Sequence, residues 1–166
     1  AAGDVIGLTT AINTANSNGI PDVICLTPGS IYTLSVIYSN NTGLPPITSP
    51  IEIKGFGSTI ERVLQTPQVF ASSGPSRPPI WDMTLASSTN FRLMLVNSGG
   101  DLTLRDLTLT GGSASNGGAI NVSSANATLI NVTISNNTGS NGGGLFINGG
   151  TVSILGGTIT NNTSST

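Results

Sequence analysis

Residues 101–163 read DLTLRDLTLTGGSASNGGAINVSSANATLINVTISNNTGSNGGGLFINGGTVSILGGTITNNT, and within this stretch the chain repeats itself. Leu104, Leu129 and Ile154 mark equivalent positions, with a step of 25 residues from each to the next. A fixed period of roughly 20–50 residues is typical of repeat proteins, in which each repeat is one structural layer.

Inside each repeat, apolar residues alternate with Thr, Ser or Asn, and this period of two predicts short β-strands. Hairpins would need partners nearby in sequence, so we expect each strand to pair with its equivalent one repeat later, in parallel. About three strands at ~3.3 Å per residue, with their turns, complete one repeat. The sequence therefore predicts an all-β, single-domain right-handed parallel β-helix, a solenoid whose coils stack ~4.8 Å apart.

The interior of this β-helix is predicted to hold apolar columns, with one residue contributed by each coil. The expected columns are Leu102–Ala127–Val152, Leu104–Leu129–Ile154, Leu109–Ile134–Ile159, Ile120–Leu145 and Val122–Ile147.

Residues 1–166 are expected to form one domain with four parts. Residues 1–21 form an N-terminal cap, in which an amphipathic helix over 7–19 has Gly7 as its N-cap and Gly19 as its stop. The other parts are the first coils (22–62), a long loop insertion rich in Pro and Ser (63–90) and the regular 25-residue coils (91–166). Loops of that length are usually functional or form an interaction surface.

The composition excludes several classes of partner. Charged residues make up 7% of the chain, against ~25% in ordinary soluble domains. The net charge is −2 and there is no histidine, so no basic surface for nucleic acid is expected. No apolar run approaches the ~20 residues of a membrane span. The single cysteine, Cys25, is predicted to be buried as a small hydrophobic residue.

The chain opens without a methionine, at Ala1-Ala2-Gly3. This start is consistent with a mature secreted product whose signal peptide has been removed, or with a fragment. We therefore expect an extracellular or cell-surface location. The low charge indicates either a surface covered by glycan or one that packs against neighbours.

Several short segments of the chain form a recognisable pattern: Gly7-Leu8, Ala11-Ile12, Asp22-Val23-Ile24, Tyr32-Thr33-Leu34, Leu44-Pro45, Gly117-Gly118-Ala119-Ile120, Asn136-Asn137-Thr138 and Gly142-Gly143-Gly144-Leu145. Together they resemble a known family of bacterial surface proteins with a CSLREA- or GSLR-type opening. In that family the opening is followed by GGAI/FxxN repeats like those of polymorphic outer-membrane proteins. The resemblance covers nearly the whole chain outside 63–90. It implies a right-handed β-helix that serves as an adhesin-like surface module, mostly without known catalysis.

The opening motif itself departs from that family. Ile6, Gly7, Thr9 and Thr10 stand where the family has Cys or Gly, Ser, Arg and Glu. No role of the missing Arg and Glu can therefore be carried over to this chain.

Parallel β-helices also include polysaccharide lyases and hydrolases, so an enzyme is one alternative. Glycoside hydrolysis needs two carboxylates that face one cleft. Asp101 and Asp106 form the nearest acidic pair, with Arg105 between them and Arg92 a coil below, and a surface ion cluster explains them more simply. We predict that the chain is not an enzyme and has no catalytic residue, metal or cofactor.

Threonine columns on the outer face suggest a second alternative, an ice-binding protein. The predicted columns are Thr108–Thr133–Thr158, Thr110–Ser135–Thr160 and Thr103–Thr128–Ser153. The first two give the rows Thr108 with Thr110, Thr133 with Ser135, and Thr158 with Thr160. Such rows would place hydroxyls ~6.7 Å apart along a strand and ~4.8 Å apart between coils, an array able to order water. Threonine also suits exposed strands for its own reasons, which is the competing explanation.

Asparagine recurs at the predicted turns, where stacked amides can bond from coil to coil as a ladder. The expected pairs are Asn116 over Asn141, Asn136 over Asn161, and Asn137 over Asn162. Seven asparagines also fit the N-glycosylation pattern Asn-x-Ser/Thr: Asn40, Asn121, Asn126, Asn131, Asn136, Asn161 and Asn162. Asn40, Asn121 and Asn126 are the favoured candidates. Asn121 is among them because it should point outward between the inward residues on either side.

Residues 162–166 end part-way round a coil, with no predicted helix to cover it. The sequence therefore favours a non-enzymatic structural or adhesive protein, a subunit of a filament or a segment of a longer fibre. Its partners would be copies of itself, stacked end to end or laterally, or other surface proteins, with glycans as possible attachments. A carbohydrate-binding or pectate-lyase-like module is the remaining alternative.

Overall fold

The computed structural model describes residues 3–63 and 90–165, which contain one helix and ten strands. The elements, in chain order, are α1 Val5–Asn18, β1 Asp22–Cys25, β2 Ile31–Leu34, β3 Pro50–Arg62, β4 Met94–Val96, β5 Asp101–Thr110, β6 Ser113–Asn116, β7 Ile120–Ser135, β8 Thr138–Asn141, β9 Leu145–Thr160 and β10 Thr163–Ser164.

The strands form a parallel β-solenoid of about five turns, which confirms the predicted fold class. β1 and β2 both pair with β3, and the ladder continues through β5 and β7 to β9. β4 pairs with β7, and β6, β8 and β10 form a second parallel sheet. Each strand therefore meets its equivalent from the next coil, as the repeat predicts.

Several strands are much longer than the short strands expected from the sequence. β7 and β9 each contain 16 residues, because the chain turns its corners without leaving the ladder. In β7 the corners fall at Ser124 and Asn131, both with φ of 52°. Asn tolerates this left-handed conformation better than most residues, since its short polar side chain can bond locally.

The register places the apolar columns where the repeat puts them. Leu104 aligns with Leu129 and Leu129 with Ile154, while Leu109 aligns with Ile134 and Ile134 with Ile159. The members of these columns in β5 and β7 are buried in one continuous hydrophobic core. Stacking equivalent residues thus builds the core of the solenoid.

The N-terminal helix covers the first coil, as predicted, although its start differs from the expectation. The N-cap is Asp4 rather than Gly7, and the Asp4 carboxylate accepts a hydrogen bond of 2.8 Å from the Gly7 amide. Glycine has no side-chain acceptor, whereas aspartate satisfies one of the free amides of the first turn. Gly19 ends the helix in the left-handed conformation. One face of the helix is buried in the core, through Leu8, Ile12 and Ala15.

Two other expectations concern residues outside the regular core. The insertion predicted at 63–90 falls almost wholly outside the described residues. The prediction that Cys25 is buried is wrong, because its side chain is exposed. Alternation along β1 turns Ile24 toward the interior and places Val23 and Cys25 on the outer face.

The core assignment predicts a clear contrast between inward and outward positions of the same strand. Leu104→Ala should lower the free energy of unfolding by about 2–5 kcal/mol, because it leaves a cavity at a fully buried site. Thr103→Ala, at the neighbouring outward position, should cost far less. Chemical denaturation followed by circular dichroism measures both, and equal losses would contradict the assignment.

Candidate functional site

The last coil exposes what the other coils bury. β9 pairs with β7 along one edge, and no strand within 3–63 and 90–165 pairs with its other edge. Ile154 is 48% exposed and Ile159 is 49% exposed, whereas Leu104 and Leu109 in the same columns are fully buried. This C-terminal end therefore presents backbone donors and acceptors around an apolar centre. We call this surface the open end, defined by the free edge of β9 with Ile147, Val152, Ile154 and Ile159.

The opposite end of the solenoid is occupied by the helix. Asn16 fastens α1 to the first coil, since its Nδ2 donates to the Pro46 carbonyl at 2.7 Å and its Oδ1 accepts from the Thr48 amide at 2.9 Å. The Ser49 hydroxyl also donates to the Ala15 carbonyl at 3.1 Å. The two ends of the solenoid are thus different, one capped and one bare.

Two of the predicted columns are in register on one outer surface, and the third, Thr103–Thr128–Ser153, lies on the adjoining surface. Thr108 aligns with Thr133 and Thr133 with Thr158, and the column also extends to Thr59 in β3. The sequence does not reveal Thr59, because the insertion lies between it and Thr108 and breaks the 25-residue step. We call this surface the threonine face, formed by Thr59, Thr108, Thr133 and Thr158 with Thr110, Ser135 and Thr160.

The asparagine ladder is present inside the turns. Asn137 is fully buried, and its Nδ2 donates to the carbonyls of Leu109 and Ser135 and to Asn162 Oδ1 at 2.9–3.2 Å. Its Oδ1 accepts from the Gly112 amide at 2.8 Å. This side chain therefore satisfies backbone groups that the turn leaves unpaired within the core.

Of the other two predicted asparagine pairs, one is joined by a side-chain hydrogen bond and one is exposed at the corner. Asn141 Nδ2 donates to Asn116 Oδ1 at 2.8 Å, as expected for stacked amides. Asn136 and Asn161 are exposed, and each takes a left-handed backbone conformation with φ of 55° and 52°. These two asparagines allow the backbone to turn at the corner of the coil, since few residues other than Gly adopt the left-handed conformation so readily.

The seven candidate glycosylation sites fall into two groups by exposure. Asn121 is 9% exposed rather than turned freely outward, and it lies in a column between the buried Leu95 and the half-buried Phe146. Asn162 is half-buried, and its side chain bonds to Asn137 and to the Ile134 carbonyl. The remaining five are exposed: Asn40, Asn126, Asn131, Asn136 and Asn161.

Asp101 and Asp106 do not form the surface ion cluster with Arg105 and Arg92 that the sequence suggested. Arg105 Nε donates to Glu52 at 3.1 Å, and Asp106 instead accepts from Asn131 Nδ2 at 3.1 Å. Arg92 is largely buried, donates to the Asn116 and Asn40 carbonyls, and has its pKa lowered by that burial. These side chains hold neighbouring coils together.

Two depressions mark the sides of the solenoid. Asp22, Glu52 and Asp101 line a shallow one of about 190 Å³, and the part of the chain that the structure describes holds no group of three residues arranged to bind a metal ion. A larger groove, of about 280 Å³, crosses the second sheet. Its walls are uncharged and include Ser113, Ser115, Thr138, Ser140 and Ser165.

A scan against protein-family models and searches of curated proteins and solved structures found no match to this chain. Within the described residues, α1 has 14 residues, and no helix has the length and apolar character needed to cross a bilayer.

Exposure predicts which of the candidate asparagines can carry sugar. When the chain is expressed through a eukaryotic secretory pathway, the folded product should carry glycan at exposed sites such as Asn126 and none at Asn121, where a sugar would displace the packing around it. Glycopeptide mass spectrometry measures the occupancy. Asn126→Gln should lower the mass of the product by one glycan, whereas Asn121→Gln should leave the glycan content unchanged. Glycan on Asn121 in folded protein would contradict this prediction.

Proposed function

We propose that this chain is a non-enzymatic structural segment of an extracellular, adhesin-like surface fibre, in which further β-coils stack on the open end. The observation that carries this proposal is the exposure of the apolar interior beside an unpaired strand edge. A coil in the same register would bury these side chains and pair the free backbone groups at once.

The open end lacks the features with which proteins normally block such edges. Charged side chains and prolines on an edge strand prevent association with another strand. All Lys, Arg, Asp and Glu residues of this chain precede Leu107, so none lies in the last two coils. β9 is also long, with 16 residues. An uncharged, long and apolar edge favours addition of another strand.

The helix gives the assembly a direction. Because α1 is bonded to the first coil and buries three apolar residues against it, the helix covers the apolar interior at the N-terminal end. Further coils, supplied by the same polypeptide or by a second one, would meet this segment at the open end. In this proposal the coils stack at the end of the solenoid opposite the helix.

Other features support a surface location. The chain has few charges and many exposed Asn-x-Ser/Thr sites, which suits a glycosylated exterior. The resemblance to surface proteins of the CSLREA and GSLR type points the same way. The carboxylate of Glu52 is held by Arg105 and Lys54, an arrangement that suits cohesion between coils better than acid–base chemistry.

The proposal predicts that the 166-residue chain associates in solution through its open end. Since α1 covers the other end, two copies would meet tail to tail. Ile154→Lys should raise the dissociation constant at least about tenfold, because burying an unpaired charge costs more than the ~1.4 kcal/mol that a tenfold change represents. Sedimentation velocity over a range of concentrations measures the association.

Thr128→Lys is the matched control, because it adds the same charge to the outer side of the preceding coil. It should leave association unchanged, and circular dichroism should show that both variants keep their β-structure. A compact monomer of the unmodified chain at high concentration would contradict the proposal. Association that Thr128→Lys abolishes and Ile154→Lys spares would place the contact on the side of the solenoid instead.

A further inference from the structure

The threonine face is regular in two directions. Along each strand its outward positions are two residues apart, or ~6.7 Å, and neighbouring coils bring the next row ~4.8 Å away. The register is unbroken from Thr59 to Thr158, although the 25-residue repeat itself does not extend back to Thr59. The column of threonines therefore persists where the sequence repeat does not.

The hydroxyls of this face are free to bind something outside the molecule. At the edge of the face, the hydroxyl of Thr33 in β2 donates a hydrogen bond to the Glu61 carboxylate at 3.0 Å. The hydroxyls of Thr108, Thr133 and Thr158 make none with the described residues. A hydroxyl that donates and accepts nothing internally is available for ordered water.

The adjoining outer face of the same strands shows whether the preference of threonine for exposed strands alone could produce the threonine face. The first halves of β3, β5, β7 and β9 carry two outward columns, Glu52–Thr103–Thr128–Ser153 and Lys54–Arg105–Ile130–Leu155. The same strands, a corner later, carry threonine at every row of one column. A general preference for threonine in exposed strands would act on both faces alike. On the threonine face, however, Thr or Ser occupies both outward positions in three successive coils, from β5 to β9. On the adjoining face each hydroxyl stands beside Arg105, Ile130 or Leu155, so only the threonine face offers an array in two dimensions.

We propose that the threonine face binds ice. An array of hydroxyls and methyl groups at fixed spacings can order water molecules in a lattice. A growing ice crystal can then incorporate those ordered water molecules. A charged group would keep its own hydration shell and disturb such a lattice. The one charged residue in these columns, Glu61, lies at the edge of the face in β3. This surface lies on the side of the solenoid, so the function is separate from assembly through the open end.

The test is thermal hysteresis, the gap between the melting and freezing temperatures of a crystal held in a solution of the protein. The unmodified chain should show hysteresis and faceted crystals. Thr133→Tyr, at the centre of the face, should abolish at least about half of the hysteresis, because the bulky ring holds the surface away from the lattice. Tyrosine suits strands well, so the fold should survive.

Thr128→Tyr is the matched control, since it places the same ring on the adjoining face of the same strand. It should retain the hysteresis of the unmodified chain, with both variants verified by circular dichroism. No hysteresis in the unmodified chain at millimolar concentration overturns the inference, as does an equal loss in both variants. Ile154→Lys should retain hysteresis, so failure of the fibre proposal and failure of this one give different results.

Discussion

The parallel hydrogen-bond ladder between coils is the constraint on which the rest of this structure depends. Each strand pairs with its own equivalent, so any residue type at one position of the repeat is brought to a column running along the solenoid. In this way leucine and isoleucine side chains form a continuous core, and threonine side chains form one outer face of the solenoid. The ladder also explains why one coil cannot be stable alone, because its backbone groups and its apolar side chains are both satisfied by the next coil.

The corners of the coils show how polar residues serve this ladder. Asn137 lies entirely within the core, yet its Nδ2 is within hydrogen-bond distance of three oxygen acceptors and its Oδ1 accepts from the backbone amide of Gly112. Its neighbour Asn136 is exposed and takes a left-handed conformation. Two adjacent residues of the same type therefore do different work, one through its side chain and the other through its backbone. Both contributions stabilise the fold, which explains much of the asparagine content without any ligand.

The two surfaces that carry the functional proposals arise from the same geometry in different ways. The open end is the point at which the ladder has no further strand among the described residues, so its isoleucines are exposed. The threonine face is a side of the ladder, where the interaction between coils is complete and the hydroxyls are left over. A mutation at one surface should therefore leave the other intact, which makes the two proposals separable by experiment.

The strict period of 25 residues, the alternation within it and the shortness of its apolar segments were enough to predict the solenoid, its core columns and the inner asparagine ladder. These features depend on local spacing, and parallel stacking converts equal spacing into contact. Tertiary structure alone decided the rest. It aligned Thr59 with Thr108 across an insertion that hides their relation, exposed Cys25 through its position on β1, and covered Asn121 on a face where alternation alone would leave it free. Those outcomes depend on which distant segments lie against each residue, and a repeat pattern contains no information about segments that do not repeat.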